Sequence, residues 1–148
     1  MAPYTVLYNG TLFRTDEALF QYRRFEGHPQ VQQIIQAQTS PMGAKMMARK
    51  YRDLLNRGPK WDESPEDLAL MKECLRLKIE QHPDIRQKLI ETGDATIIED
   101  CTTHDRELAR FWGMVFKDGN WIGENILGKL WMEIRDELQQ TNNTKETL

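Results

Sequence analysis

The spacing of apolar positions changes several times along the chain, and each change marks an element. The run YTVLYNGTLF sets β-favouring residues on either side of Asn9-Gly10, which predicts a hairpin of Tyr4–Tyr8 and Thr11–Phe13. From Thr15 the period becomes helical. Thr15 has the chemistry of an N-cap, Asp16 and Glu17 follow in the first turn, and Gly27 suits the position after the helix end. Ala18, Tyr22 and Phe25 then fall on one face of a short amphipathic helix. A second helix in HPQVQQIIQAQ groups Val31, Ile34 and Ile35. A third follows Ser40-Pro41 and stops before Gly58, with Ala44, Met47, Ala48, Tyr51 and Leu55 as its inner stripe.

The same start signal recurs at Ser64-Pro65, where Ser64-x-x-Asp67 resembles a capping box with Asp in place of Glu. Leu68, Met71, Leu75 and Ile79 form the stripe of that fourth helix, and PDIRQKLIETG gives a fifth that closes near Gly93. ATIIEDC breaks the helical period and reads as a short strand. Ile126, Leu130, Ile134 and Leu138 then recur every fourth residue in a last helix. The chain shows no internal repeat, low-complexity segment or linker. The pattern predicts an α+β fold, compact and mainly helical, in a single domain over 1–140 with a small β-sheet. A polar tail, 141–148, is expected to fray.

Composition narrows the function. The chain has 148 residues, enough for one domain with a real core. Its net charge of −3 argues against a dedicated nucleic-acid binder, which carries a basic stripe. Lys45, Arg49, Lys50 and Arg52 remain as a local basic patch able to meet a phosphate. No apolar run has membrane-spanning length, and MAPYTVLYNG lacks the pattern of a signal peptide. Cys74 and Cys101, without export signals, read as reduced thiols and a cytoplasmic location. No CxxC or HxxxH spacing points to a metal.

Candidate chemistry gathers in two places. Glu17 either complements the dipole of the first helix or sits half-buried beside Ala18 and Phe20 with a raised pKa. The stretch TGDATIIEDCTTHDRELARFWG concentrates acids, with Glu99 at the end of the expected strand, Asp105 as an N-cap or acid, and His104 as an exposed side chain or a base. Trp61 in its loop and Trp112 beside Gly113 either fill the core or stack on a flat ring; Trp121 is a further candidate, and Trp131 reads as packing. Gly119, Gly123, Asn125 and Gly128 suggest backbone that approaches something closely, a phosphate being one option.

Taken together, TDEALFQYRRF, SPMGAKMMAR, Trp61, LMKECLRLKIEQHPDIRQKLIETG, IIED with Asp105 and the following Trp112-Gly113, and GENILGKLWMEIRDEL occur in an order that resembles the YbiA-like, or NADAR, family. The resemblance spans about Phe13 to Leu138. It implies an N-glycosidase acting on a ribosylated base, either a ribosylaminopyrimidine phosphate of riboflavin synthesis or an ADP-ribosyl-type substrate. ADP-ribosylated guanine is included, while nucleic acid as such is not expected. It implies Glu17 and Asp105 as catalytic acids with Glu99 supporting, and Trp61, Trp112, Gly113, Asn125, Lys45 and Arg49 as substrate-binding. Asn125 and Gly128 match its G-x-N-x-L-G element, and Arg135 the arginine of its last helix. No cofactor and no metal are expected, and the sequence leaves the oligomeric state open. Two features depart from the family pattern. A Phe-Ser-Asn-Phe motif is absent, and the six residues RELARF separate Asp105 from Trp112 where the family spacing is shorter. The first departure keeps an alternative in view, a module that binds NAD or ADP-ribose without turnover. A second alternative is an interaction protein whose tryptophans are all core.

Overall fold

A computed structural model of the chain describes residues 4–58 and 60–147. Leu148 of the polar tail and Pro59 of the GPKWDES loop lie outside them. The fold is α+β and mainly helical, and its contacts divide into two compact units, Met1–Pro83 and Asp84–Leu148.

The first unit opens with the expected hairpin. β1 (Val6–Tyr8) pairs antiparallel with β2 (Thr11–Phe13) in the register Val6↔Phe13, Leu7↔Leu12, Tyr8↔Thr11. Asn9 and Gly10 both take positive φ, 47° and 80°, as a tight two-residue turn requires. Val6 and Phe13 face inward and Leu7 and Leu12 outward, as the two-residue period dictates. α1 (Asp16–Arg24) begins where Thr15 Oγ1 accepts the N–H of Ala18 at 3.0 Å. Its buried residues are Leu19, Phe20, Gln21 and Arg24. That corrects the expected inner face: Phe25 is buried, but Ala18 and Tyr22 are only half-buried. The reason is that α1 packs against three helices and the hairpin, so even a polar row of it lies inside.

Those neighbours are α2 (Pro29–Gln36), α3 (Pro41–Lys50) and α4 (Pro65–Gln81). Ser40 and Ser64 cap α3 and α4 as expected, accepting the N–H of Gly43 and of Asp67. α3 ends earlier than its stripe suggests. A 3₁₀ turn, Arg52–Leu55, follows, and Asn56 at φ 53° ends it. Phe25, Val31, Ile35, Ala44, Ala48 and Trp61 form one buried cluster, with Met47, Tyr51 and Leu55 at its edge.

The second unit contains α5 (Pro83–Glu91), α6 (Glu107–Trp112), β3 (Val115–Lys117), β4 (Asn120–Ile122) and α7 (Ile126–Thr147). α5 is assigned here although its first residue closes the other unit. The last helix runs to Thr147, so the tail expected to fray from 141 is helical through that residue. The strand expected at ATIIEDC does not form; only Asp100 makes a single bridge to Met114. Side chains of α7 and its leading turn take the place of a partner strand. Asn125 Oδ1 accepts the N–H of Glu99 at 3.0 Å, and its Nδ2 donates to the Ile97 carbonyl at 2.8 Å. Arg135 donates to the Ala95 carbonyl and the Thr92 hydroxyl, and Gln139 to the Gly93 carbonyl. These side chains bond the first part of the segment's backbone, while the Glu99 carbonyl and Cys101 N–H pair with the Met114 backbone. Arg135 also sets its buried charge at the carbonyl end of α5, where the helix dipole is negative.

Gly128 makes that approach possible. A Cβ there would stand 2.3 Å from the Ile97 carbonyl oxygen and 2.4 Å from Asn125 Oδ1. Alanine gains about 1 kcal/mol over glycine in helix propensity, but the atom it meets is backbone and cannot swing away. Gly128→Ala is expected to lower stability by about 1–3 kcal/mol, read as a lower urea midpoint. A midpoint at or above the wild-type value would show that α7 is free to move off the segment.

Candidate functional site

The sequence places Glu17, Gln21 and Arg24 at helical spacings of four and three, and so on one face of α1. The structure joins them. Gln21 Nε2 donates to Glu17 Oε1 at 3.3 Å, and Arg24 Nη1 donates to Gln21 Oε1 at 2.9 Å. Arg24 Nη2 then reaches Asp67 Oδ2 at 2.8 Å, and Arg57 Nη1 reaches Asp67 Oδ1 at 2.6 Å. The Arg24 guanidinium lies 3.9 Å from the centre of the Trp61 ring. A continuous polar chain thus runs from the first turn of α1 through the core of the unit to Arg57. Asp67 is fully buried, so its carboxylate serves this chain rather than the capping box that its spacing suggests.

Glu17 lies at the outer end of that chain and is half-buried. Burial pushes its carboxyl above the ordinary value of 4.5; the Gln21 bond opposes this, Asp16 adds to it, and Lys45 and Arg24 pull it back. Of the two readings of Glu17, the structure favours the half-buried acid. Its folded-state pKa exceeds the unfolded value, so ionisation works against folding. That penalty is absent below 4.5 and grows as pH rises through the folded-state value. Glu17→Gln is therefore expected to match the wild type in stability at acidic pH and to exceed it at neutral and alkaline pH. Urea midpoints across pH check this, and a constant difference would contradict it.

The basic residues of α3 divide. Lys45 is half-buried and acts on Glu17, whereas Arg49 is exposed. Near the same turn of α1, a cleft of about 150 Å³ opens between Phe13, Thr15 and Ala18 on one side and Gln38, Thr39 and Ser40 on the other. Glu17 does not line it. Trp61 is 5% exposed, with its ring in the core cluster and Arg24 over one face. Its packing is of the core kind.

In the second unit Asp105 does not cap α6; Arg106 occupies that position without a side-chain bond. Arg110 holds Asp105 through two bonds, Nε to Oδ1 at 2.7 Å and Nη2 to Oδ2 at 2.8 Å. The first of these effects, hydrogen bonding from Arg110, keeps the Asp105 carboxyl below its ordinary range. Asp105 therefore stays ionised and is a weak proton acceptor. Glu99 has an exposed side chain, and its backbone is fixed by Asn125 and by the Met114 N–H. Asn125 is 5% exposed, with both ends of its amide engaged. Gly113 lies where a Cβ would stand 2.5 Å from the Glu99 carbonyl oxygen, and Gly123 where one would stand as close to the Gly113 carbonyl oxygen. The close approach that the glycines announce is to the chain itself. Gly119 forms the β3–β4 turn with Asp118, at φ 80° and 52°. Sequence reasoning passed over that hairpin, although Asp-Gly between Phe116 and Trp121 is a strong turn signal. Trp112 is half-buried, edge-on to Phe111 at 5.3 Å. His104 is exposed, and Trp121 is 41% exposed beside Phe116. Among the described residues no group of three or more His, Cys, Asp or Glu gathers as a metal site would, and no helix is long and apolar enough to cross a membrane.

Comparisons with known proteins agree on one family. The NADAR domain model matches residues 1–139. N-glycosidase YbiA of Shigella boydii is 32% identical over 137 residues, 93% of this chain and 78% of that protein. N-glycosidase YbiA of Escherichia coli K12 is 31% identical over the same shares. N-glycosidase R617 of Acanthamoeba polyphaga mimivirus is 35% identical over 54% of this chain and 48% of its own. The NMR structure of Escherichia coli YbiA superposes with a TM-score of 0.69 at 29% identity, covering 95% of this chain and 76% of that one.

Proposed function

The chain belongs to the NADAR domain family, and its YbiA and R617 relatives carry the name N-glycosidase; from that premise we propose that it hydrolyses the N-glycosidic bond of a ribosylated base. The observation that carries the reading is Glu17. It is a half-buried carboxyl with a raised pKa, one oxygen held by Gln21, and the Lys45 cation acting on it.

In this reaction the bond from C1′ to the base nitrogen breaks, and the base leaves with the electron pair. The sugar passes through an oxocarbenium-like state, water adds to C1′, and the proton that water loses to a carboxylate is passed on to the departed nitrogen. Ionised Glu17 serves both needs. Its negative charge stabilises the cationic sugar, and its raised pKa makes it a better proton acceptor than an ordinary carboxylate. Lys45 and Arg49 hold phosphate. In the second unit, Asp105 and Glu99 are proposed as supporting carboxylates and Trp112 as a stacking ring on the family resemblance alone. The substrate class is a ribosylaminopyrimidine phosphate or an ADP-ribosyl-type compound.

A chromatographic assay tests this. The protein is incubated with ribosylaminopyrimidine phosphate, NAD, ADP-ribose or an ADP-ribosylated guanine nucleotide, and free base is measured. Release from one of them is expected. No release, together with nucleotide-dependent thermal stabilisation, would replace the reading with a binding module that lacks turnover.

A further inference from the structure

We propose that Gln21 is the positioning residue for Glu17. It commits Glu17 Oε1 to accept a hydrogen bond and leaves Oε2 as the oxygen that exchanges the proton. The inference rests on the reading of Glu17 as the acting carboxylate and assigns the work to one of its two oxygens.

The argument follows from which groups can only donate. A guanidinium has no acceptor, so the Gln21 atom 2.9 Å from Arg24 Nη1 must be the amide oxygen. The amide nitrogen then faces Glu17, and Glu17 Oε1 must accept at 3.3 Å. A proton on Oε1 would point at that N–H. When Glu17 is protonated the proton therefore sits on Oε2.

Arg24 cannot turn to relax this order. Its Nη2 is bonded to Asp67 Oδ2 and to the Trp61 carbonyl, and its guanidinium carbon lies over the Trp61 ring. Arg57 holds the other oxygen of Asp67. Gln21, Arg24 and Asp67 are 3%, 5% and 0% exposed, so water does not compete for these bonds. The charges acting on Glu17 are Asp16 on its own helix, Lys45 on α3 and Arg24. Gln21 is uncharged and differs from them by acting on one oxygen alone. The arrangement parallels the way a buried acid fixes the tautomer of a catalytic histidine: a residue away from the reacting atoms acts by restricting the one that exchanges the proton.

The test is carbon-13 NMR of the Glu17 side-chain carboxyl across pH, in the wild type and in Gln21→Met, which matches the length and removes the amide. Gln21→Met is expected to raise the Glu17 midpoint, because a donor to the ionised form is lost. It is also expected to lower kcat by about 100-fold through misplacement, with KM little changed. In the wild type, which needs no variant to fold, the Gln21 side-chain N–H resonances are expected to shift with the Glu17 midpoint. An unchanged midpoint in the variant, or Gln21 resonances that ignore the titration of Glu17, would overturn the inference. Glu17→Gln separates the two claims. If that variant still hydrolyses substrate, the function reading fails whatever the NMR shows. If it is inactive while the midpoint ignores Gln21, only the positioning role fails.

Discussion

Asp67→Ala is expected to destabilise the protein by about 3–5 kcal/mol, a large part of the roughly 5–15 kcal/mol that holds a domain folded. Asp67 is fully buried and divides its two oxygens between Arg24 and Arg57. Removing it leaves the Arg24 guanidinium buried at 5% exposure without its carboxylate. Desolvating an uncompensated cation costs several kcal/mol, more than the attraction that is lost. The pair is therefore better judged by a double substitution. Arg24→Met with Asp67→Leu should cost clearly less than the sum of the two single changes, because no charge is then stranded. Urea denaturation of the three variants measures this. A loss below about 1 kcal/mol for Asp67→Ala would show that water reaches the site.

Glu17→Gln should have the largest effect on activity. The substitution preserves size and removes both the charge and the proton acceptor. General-base action is worth about 100- to 10,000-fold, and loss of the charge facing an oxocarbenium-like state adds to it. We expect kcat to fall at least 100-fold with KM little changed, since a group that acts in the transition state adds little to ground-state binding. The same variant is expected to be the more stable one at neutral pH, so its inactivity would not be ascribed to unfolding. A drop in activity matched by a drop in stability would instead mark Glu17 as structural.

Much of the fold was legible because its signals are local. Thr15, Ser40 and Ser64 are caps, Pro41 and Pro65 open helices, and Asn9-Gly10 turns a hairpin, each through its own backbone preference. The exceptions are cases where a distant partner decides. Ala95–Cys101 has the composition of a strand, but Asn125 and Arg135 bond its backbone from elsewhere in the chain. Asp67 sits at a capping position, yet two arginines claim it. No single-position rule shows either.

The candidate site was legible to a similar depth. Glu17 could be named from its place in the first turn and from the family resemblance. Gln21 and Arg24 stood at the right helical spacing all along, but a buried glutamine and arginine on a short amphipathic helix contradict the polar-out pattern. Only the packing of α1 on several sides reveals them. Trp61, Gly113 and Asn125 are expected as ligand contacts from the family resemblance. In the structure each is closely packed against the chain itself.

The most direct measurement is the initial rate of free-base release at saturating substrate, followed by chromatography for the wild type and Glu17→Gln side by side. Release by the wild type and at least a 100-fold slower release by the variant, with both proteins folded, is the expected result. Equal rates in the two proteins would show that hydrolysis does not depend on the Glu17 carboxylate.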